Sequence, residues 1–117
     1  MGNRAVIVAH DTDKTNADKR VGIYVHWYGS EEDVQIALDK AKELGVRTVD
    51  GDPTYFWARF CQIFSNIITE ESGGDNYETG IGIGLVSELD THNYDNGVYY
   101  IDSNFAIVKH TSGEEFE

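Results

Sequence analysis

The sequence predicts an α+β domain: an antiparallel five-stranded sheet in the order ββααβββ, with two helices packed on one face. Three observations carry this. Short β-rich apolar runs open and close the chain, two capped segments of helical periodicity lie between them, and turn-forming clusters space the last strands as a meander.

Arg4–Ala9 reads RAVIVA, an apolar run without strict alternation, as expected of a strand covered on both faces. A polar loop, His10–Arg20, leads to Val21–Tyr28, which alternates cleanly. Val21, Ile23, Val25 and Trp27 share one face, and Tyr24, His26 and Tyr28 share the other. The pair reads as a hairpin with a long loop.

Ser30 is a natural helix cap, with Glu31, Glu32 and Asp33 in the positively polarised first turn. Val34, Ala37, Leu38, Ala41 and Leu44 then follow the spacing of one helical stripe, and Gly45 closes it as a left-handed cap. Asp52-Pro53 opens the second helix in the same manner. From Tyr55 to Ile68 this helix is apolar almost all round, with Arg59, Gln62, Asn66 and Thr69 as a narrow polar stripe. It is therefore expected to be the most buried element.

Glu70–Gly80 is an acidic, glycine-rich loop. Strands are expected at Ile81–Ser87, Gly97–Asp102 and Phe105–Lys109, separated by the turn clusters Asp95-Asn96-Gly97 and Asp102-Ser103-Asn104. Residues 1–112 make one domain and 113–117 a frayed acidic tail.

A chain of 117 residues buries roughly two-thirds of its unfolded surface, enough for one core without a disulfide or a metal. No apolar run is long enough to cross a bilayer, and the N-terminus lacks the apolar stretch of a signal peptide. Cys61 is the single cysteine, so no internal disulfide forms, and its apolar setting suits a reducing compartment. The natural reading is a cytosolic protein.

Charge is the most informative quantity. Twenty-one acids against nine bases give −12, unevenly spread: +1 over residues 1–30, −3 over 31–60 and −10 over 61–117, where Lys109 is the one base. Such a field repels phosphate backbones and anionic membranes, so direct nucleic-acid and membrane binding are disfavoured and basic partners favoured.

Gly80, Gly82 and Gly84 alternate with Ile81, Ile83 and Leu85, so they lie within a strand and do not form a phosphate loop, which needs a strand-to-helix turn. Their bare face offers a floor beside the stripe of Tyr24, His26 and Tyr28, either for cross-strand pairing or for a planar ligand. The run Asp11–Asn16 begins like a calcium loop but lacks glycine at the sixth position and glutamate at the twelfth. Asp90, His92 and Asp95 lie in a turn that wants Asp and Asn for backbone reasons. No metal, cofactor or catalytic group is assigned. Cys61 on its apolar helix is expected to have a raised thiol pKa and little reactivity. Arg59 on the same helix either reaches the surface or is held by a carboxylate.

The strings GNRAVIV, GIYVHWYGS, YFWARFCQIFSN and LDTHNYDNGVYYID together resemble a family of small uncharacterised acidic proteins encoded by bacteriophages and mobile elements of gut bacteria. The resemblance runs from Gly2 to about Asp102. It brings no residue roles with it and implies a context: a phage-side gene acting in the bacterial host cytoplasm. Small acidic proteins in that setting are often inhibitors of host defence, of the anti-CRISPR or anti-restriction type, and some mimic DNA.

The expected function is thus non-enzymatic inhibition of a basic, nucleic-acid-handling defence protein, alone or as a homodimer. The expected contact surface is acidic: Glu70, Glu71, Asp75, Glu78, Glu88, Asp90 and Asp95. The alternative is a small-ligand binder sequestering a nucleotide immune signal through Tyr24, His26, Tyr28, Trp57 and Arg59.

Overall fold

The computed structural model describes residues 3–10, 20–71 and 80–112. The run Asp11–Asn16, Asp75, Glu78 and the 113–117 tail lie outside the described residues, as does the side chain of Glu71.

The described elements run β1 (Ala5–Ala9), β2 (Val21–Val25), α1 (Glu31–Glu43), α2 (Pro53–Glu71), β3 (Ile81–Leu85), a 3-10 turn (Val86–Glu88), β4 (Val98–Ile101) and β5 (Ile107–Thr111). The α+β class and both helices on one face agree with the sequence reading. The sheet does not: it is mixed, with strand order β3-β2-β1-β4-β5 and β1 parallel to β4. The expected antiparallel meander of the last three strands is thereby corrected. β3 pairs with β2 at one edge, and the chain then crosses the back of the sheet to place β4 beside β1.

The physical reason lies in β1. Ala5, Val6, Ile7 and Val8 are all fully buried, so β1 needs a neighbour on each edge and cover on each face. β2 supplies one edge and β4 the other. A meander would have left this wholly apolar strand exposed at the sheet's rim.

Alternation along β1 divides the interior into two. Ala5 and Ile7 join Ile23, Val25, Tyr99, Ile101 and the apolar stripes of both helices in the main core. Val6 and Val8 join Val98, Tyr100 and Val86 in a smaller cluster on the back face, with Tyr24 and Leu89 packed against it. The crossing segment after β3 is thus a second, thin layer.

The helix signals hold. Ser30 Oγ accepts from the Asp33 N–H at 3.2 Å and donates to the Asp33 carboxylate at 2.9 Å. Gly45 takes a φ of 73° and its N–H reaches the Lys42 carbonyl at 3.1 Å. Asp52 caps α2, its Oδ1 accepting from the Tyr55 N–H at 3.4 Å. α2 is the more buried of the two helices: it buries Phe56, Trp57, Phe60, Ile63, Phe64 and Ile68, whereas α1 buries only Val34, Ala37, Leu38 and Ala41 and leaves more than half of its residues exposed. It is not the most buried element, however, because β1 and β4 are buried almost throughout. Its extra apolar positions lie at the flanks: Tyr55 is exposed, and Cys61 and Ile67 are half-buried. α2 also runs through Glu70 and Glu71, which the sequence reading placed in a loop.

Three strand ends differ from expectation. β2 stops at Val25, and Tyr28 has a φ of 60°, which turns its ring onto the main core, away from the face of Tyr24. β3 gives way to a 3-10 turn at Val86 because that side chain is drawn under the back face. Phe105, at a φ of 57°, lies before β5 and not within it, and buries its ring 6.2 Å from that of Phe56.

Candidate partner-binding surface

The acidic residues singled out in the sequence do not form one patch. Glu70 is exposed in the last turn of α2, on the helix layer. Glu88, Asp90 and Asp95 belong to the crossing segment on the back of the sheet. The fold separates the two groups by its full thickness.

The back-face segment is built around Asn93, which is fully buried. Its Nδ2 donates to the carbonyls of Asp90 at 3.0 Å and Gly97 at 3.1 Å, while its Oδ1 accepts from the N–H groups of Asp95 at 3.1 Å and Gly97 at 3.0 Å. Gly97 is required here: its φ is 70°, and a Cβ would collide with the Thr111 carbonyl. Asp95 is bound to Arg4, whose hydrogen bond holds the carboxyl below the usual carboxylate range. Of the three back-face acids, then, Asp95 is already neutralised within the fold. Beside it, His92, Tyr94 and His110 line a shallow groove of about 480 Å³. The His110 ring stacks on Tyr99 and meets the Asn96 carbonyl, so it is engaged within the fold too. Among the described residues, no three His, Cys, Asp or Glu side chains come close enough to hold a metal ion.

The helix layer carries a different arrangement. Ile36 on α1 and Leu44 at its C-terminal cap are each about half exposed, at 49% and 51%. With Ile63 and Ile67 of α2 they form an apolar floor in a groove of about 510 Å³. Asp39, Glu43 and Glu70 rim this groove, and Lys40, the one cation among the described residues that line it, is paired with Glu43 at 3.2 Å. Glu31 and Glu32 extend the acidic surface toward the start of α1. Gln35 anchors the helix by donating to the Phe105 carbonyl at 2.9 Å and to Asp39 at 3.0 Å. The α1 acids were passed over in the sequence because the 31–60 stretch is only mildly acidic on average. The signal was their phase: Glu32, Asp39 and Glu43 recur at helical spacing beside Ile36.

The expected ligand set also divides. Trp57 is 3% exposed and packs edge-on against Phe56, so no ligand can stack on it. Tyr24 and His26 lie toward the back face, joined by a 2.9 Å hydrogen bond, and Tyr28 turns away from them. Burial raises the Tyr24 phenol above its ordinary value. Tyr24 sits opposite Gly82, but open space stands where a Cβ on Gly82 would be, so the ring does not lie on the glycine floor.

Arg59 is half-buried on the helix layer, and no carboxylate among the described residues pairs with it. Its guanidinium lies 5.9 Å from the Tyr55 ring, and the Arg47 guanidinium lies 4.8 Å from the same ring while binding Asp52 at 2.7 Å. Arg59 Nε is buried without a hydrogen-bond partner among the described residues. Tyr55 is thus the accessible aromatic of α2, a role the sequence reading gave to Trp57. Burial pushes the Cys61 thiol up, as its apolar setting implied. Among the described residues no helix is long and apolar enough to cross a membrane.

No family model, curated protein or solved structure matches the chain.

Proposed function

We propose that this protein is a non-enzymatic inhibitor that binds a basic, nucleic-acid-handling protein of a bacterial host defence system, of the anti-CRISPR or anti-restriction type. The observation that carries this reading is the helix-layer groove, whose floor of Ile36, Leu44, Ile63 and Ile67 is rimmed by Asp39, Glu43 and Glu70. An apolar floor supplies desolvation energy, and an acidic rim selects partners with lysine or arginine around an apolar anchor. Nucleic-acid-handling proteins expose such basic surfaces, and a carboxylate rim competes with phosphate for them. The phage-side setting and the host cytoplasm come from the family resemblance and are part of the proposal.

The test begins with capture of the target from host lysate and continues with purified components. The parent should hold the target, duplex DNA should displace it, and the triple variant D39N/E43Q/E70Q should lose it. Capture that survives both the variant and excess duplex removes the reading.

A second reading, capture of a nucleotide signal, is favoured by the two guanidiniums flanking the exposed Tyr55 ring. Aromatic stacking with cation pairing is what a nucleotide requires. A panel of cyclic and ADP-ribose-type nucleotides should then raise the melting temperature of the parent and not of Arg59→Ala. At 100 times its dissociation constant a ligand contributes about 2.7 kcal/mol, so the shift is readily measured.

A further inference from the structure

β3 is an edge strand of unusual character. Its sequence, Ile81-Gly82-Ile83-Gly84-Leu85, contains no charge and no proline, in a chain of net charge −12. The opposite edge, β5, carries Lys109 and His110 and pairs with β4 through an irregular register. Lysine and irregularity are standard protections against edge-to-edge pairing. β3 has neither.

The direction of its backbone groups follows from the hydrogen bonds at either end. His26 N–H donates to the Gly80 carbonyl at 2.9 Å, and Val86 N–H donates to the Arg20 carbonyl at 2.7 Å. Bonded pairs alternate along an antiparallel ladder, so Gly80, Gly82, Gly84 and Val86 turn their peptide groups toward β2. The N–H and C=O groups of Ile81, Ile83 and Leu85 point outward, and no strand among the described residues meets them.

We propose that this edge pairs with the same edge of a second copy of the chain, about a two-fold axis through Ile83. The strand is self-complementary in that register. Ile83 faces Ile83, Ile81 faces Leu85 and Gly82 faces Gly84, so apolar meets apolar and small meets small. The three outward residues become the bonded pairs, each exchanging both of its peptide hydrogen bonds, and the two sheets join into one. Ile83 is 57% exposed and Leu85 38%, and the pairing covers both. On the helix side a groove of about 580 Å³ between β3 and α2, with Leu44 and Ile63 in its lining, gives the partner's Ile83 room. A two-fold pair puts equal charges together, and the one uncharged strand edge among the described residues of this −12 chain is where that costs least.

Salt separates this contact from the partner surface proposed above, on which it does not depend. Two chains of like charge repel, so dimerisation strengthens as salt is added, whereas charge-steered binding of a basic target weakens.

The experiment is sedimentation equilibrium of the parent over its soluble concentration range at low and moderate salt, beside Ile83→Lys. We expect a dimer tightened by salt. Two lysines meeting at the axis should raise the dimer dissociation constant about 100-fold or more. A cysteine pair provides a second measure that needs no loss of binding. In a Cys61→Ser background, Ile83→Cys should oxidise to an inter-chain disulfide, because bonded antiparallel partners sit about 5.5 Å apart at Cα, within disulfide range. Val108→Cys on β5 in the same background should stay reduced. A parent that is monomeric throughout overturns the proposal. So does a dimer that survives Ile83→Lys, or one in which Val108→Cys cross-links and Ile83→Cys does not. If Ile83→Lys fails to fold, the cross-link decides.

Discussion

Arg4 and Asp95 lie 91 residues apart in the chain and are joined twice: Asp95 Oδ2 accepts from the Arg4 backbone N–H at 3.0 Å and from its Nε at 2.8 Å. The contact ties the end of the back-face segment to the start of the central strand. Asp95 has a depressed folded pKa, chiefly through the Arg4 side-chain hydrogen bond. Its contribution is therefore present above the unfolded carboxyl value and lost as pH falls through the lower folded one. Urea midpoints measured from pH 6 down to pH 2 should fall less steeply for Asp95→Asn than for the parent, and the variant should be modestly less stable at pH 7.

Tyr99 gives the alkaline counterpart. Burial pushes its phenol up to about 12, with Glu31 and Asp33 adding to the effect. A raised folded pKa means stability is intact below the unfolded value near 10 and lost as pH rises toward the folded one. Unfolding followed by tyrosinate absorbance should set in between pH 10 and 12, and Tyr99→Phe should blunt that loss.

Asn93→Ala should be among the most damaging polar substitutions. It removes the side-chain partner of the Asp90 and Gly97 carbonyls and of the Asp95 and Gly97 N–H groups, at about 1–3 kcal/mol for each group that water cannot reach, although the Gly97 carbonyl keeps the Val6 N–H. Urea unfolding should show the loss, and Asn93→Asp should not restore it, because a carboxylate cannot donate to the Asp90 and Gly97 carbonyls.

Phe60→Ala and Phe64→Ala should each cost about 3–5 kcal/mol, since both side chains lie fully inside the main core and meet edge to face with ring centroids 5.8 Å apart. Tyr55→Ala, at an exposed position of the same helix, should cost far less. Equal melting temperatures for the parent and Phe60→Ala would mean that the core lies elsewhere.

Two charge variants separate the faces. D39N/E43Q/E70Q on the helix layer should slow association with a basic target and flatten its salt dependence. E88Q/D90N on the back face should bind at close to the parent rate. Stopped-flow association at two salt concentrations distinguishes them, and the reverse result would move the contact surface to the back of the sheet.

The sequence by itself determined what depends on neighbours along the chain. Ser30, Gly45, Asp52 and Pro53 mark the helix ends because capping is settled within a turn. Alternation marks β2, and the unbroken apolar run of β1 identifies a strand covered on both faces. Strand order was decided only in three dimensions. The choice between a meander and a crossing over the back face rests on which partner fills the second edge of β1, and no local pattern records that long-range pairing. The candidate surface follows the same division. Net charge was legible as a sum, but its division between two faces, and the withdrawal of Asp95 into a pair with Arg4, depend on where the crossing segment lies. Trp57 and Tyr55 make the point within two residues: residues two apart on a helix point to nearly opposite sides, and the face that α2 turns to the sheet buries the first and leaves the second in solvent.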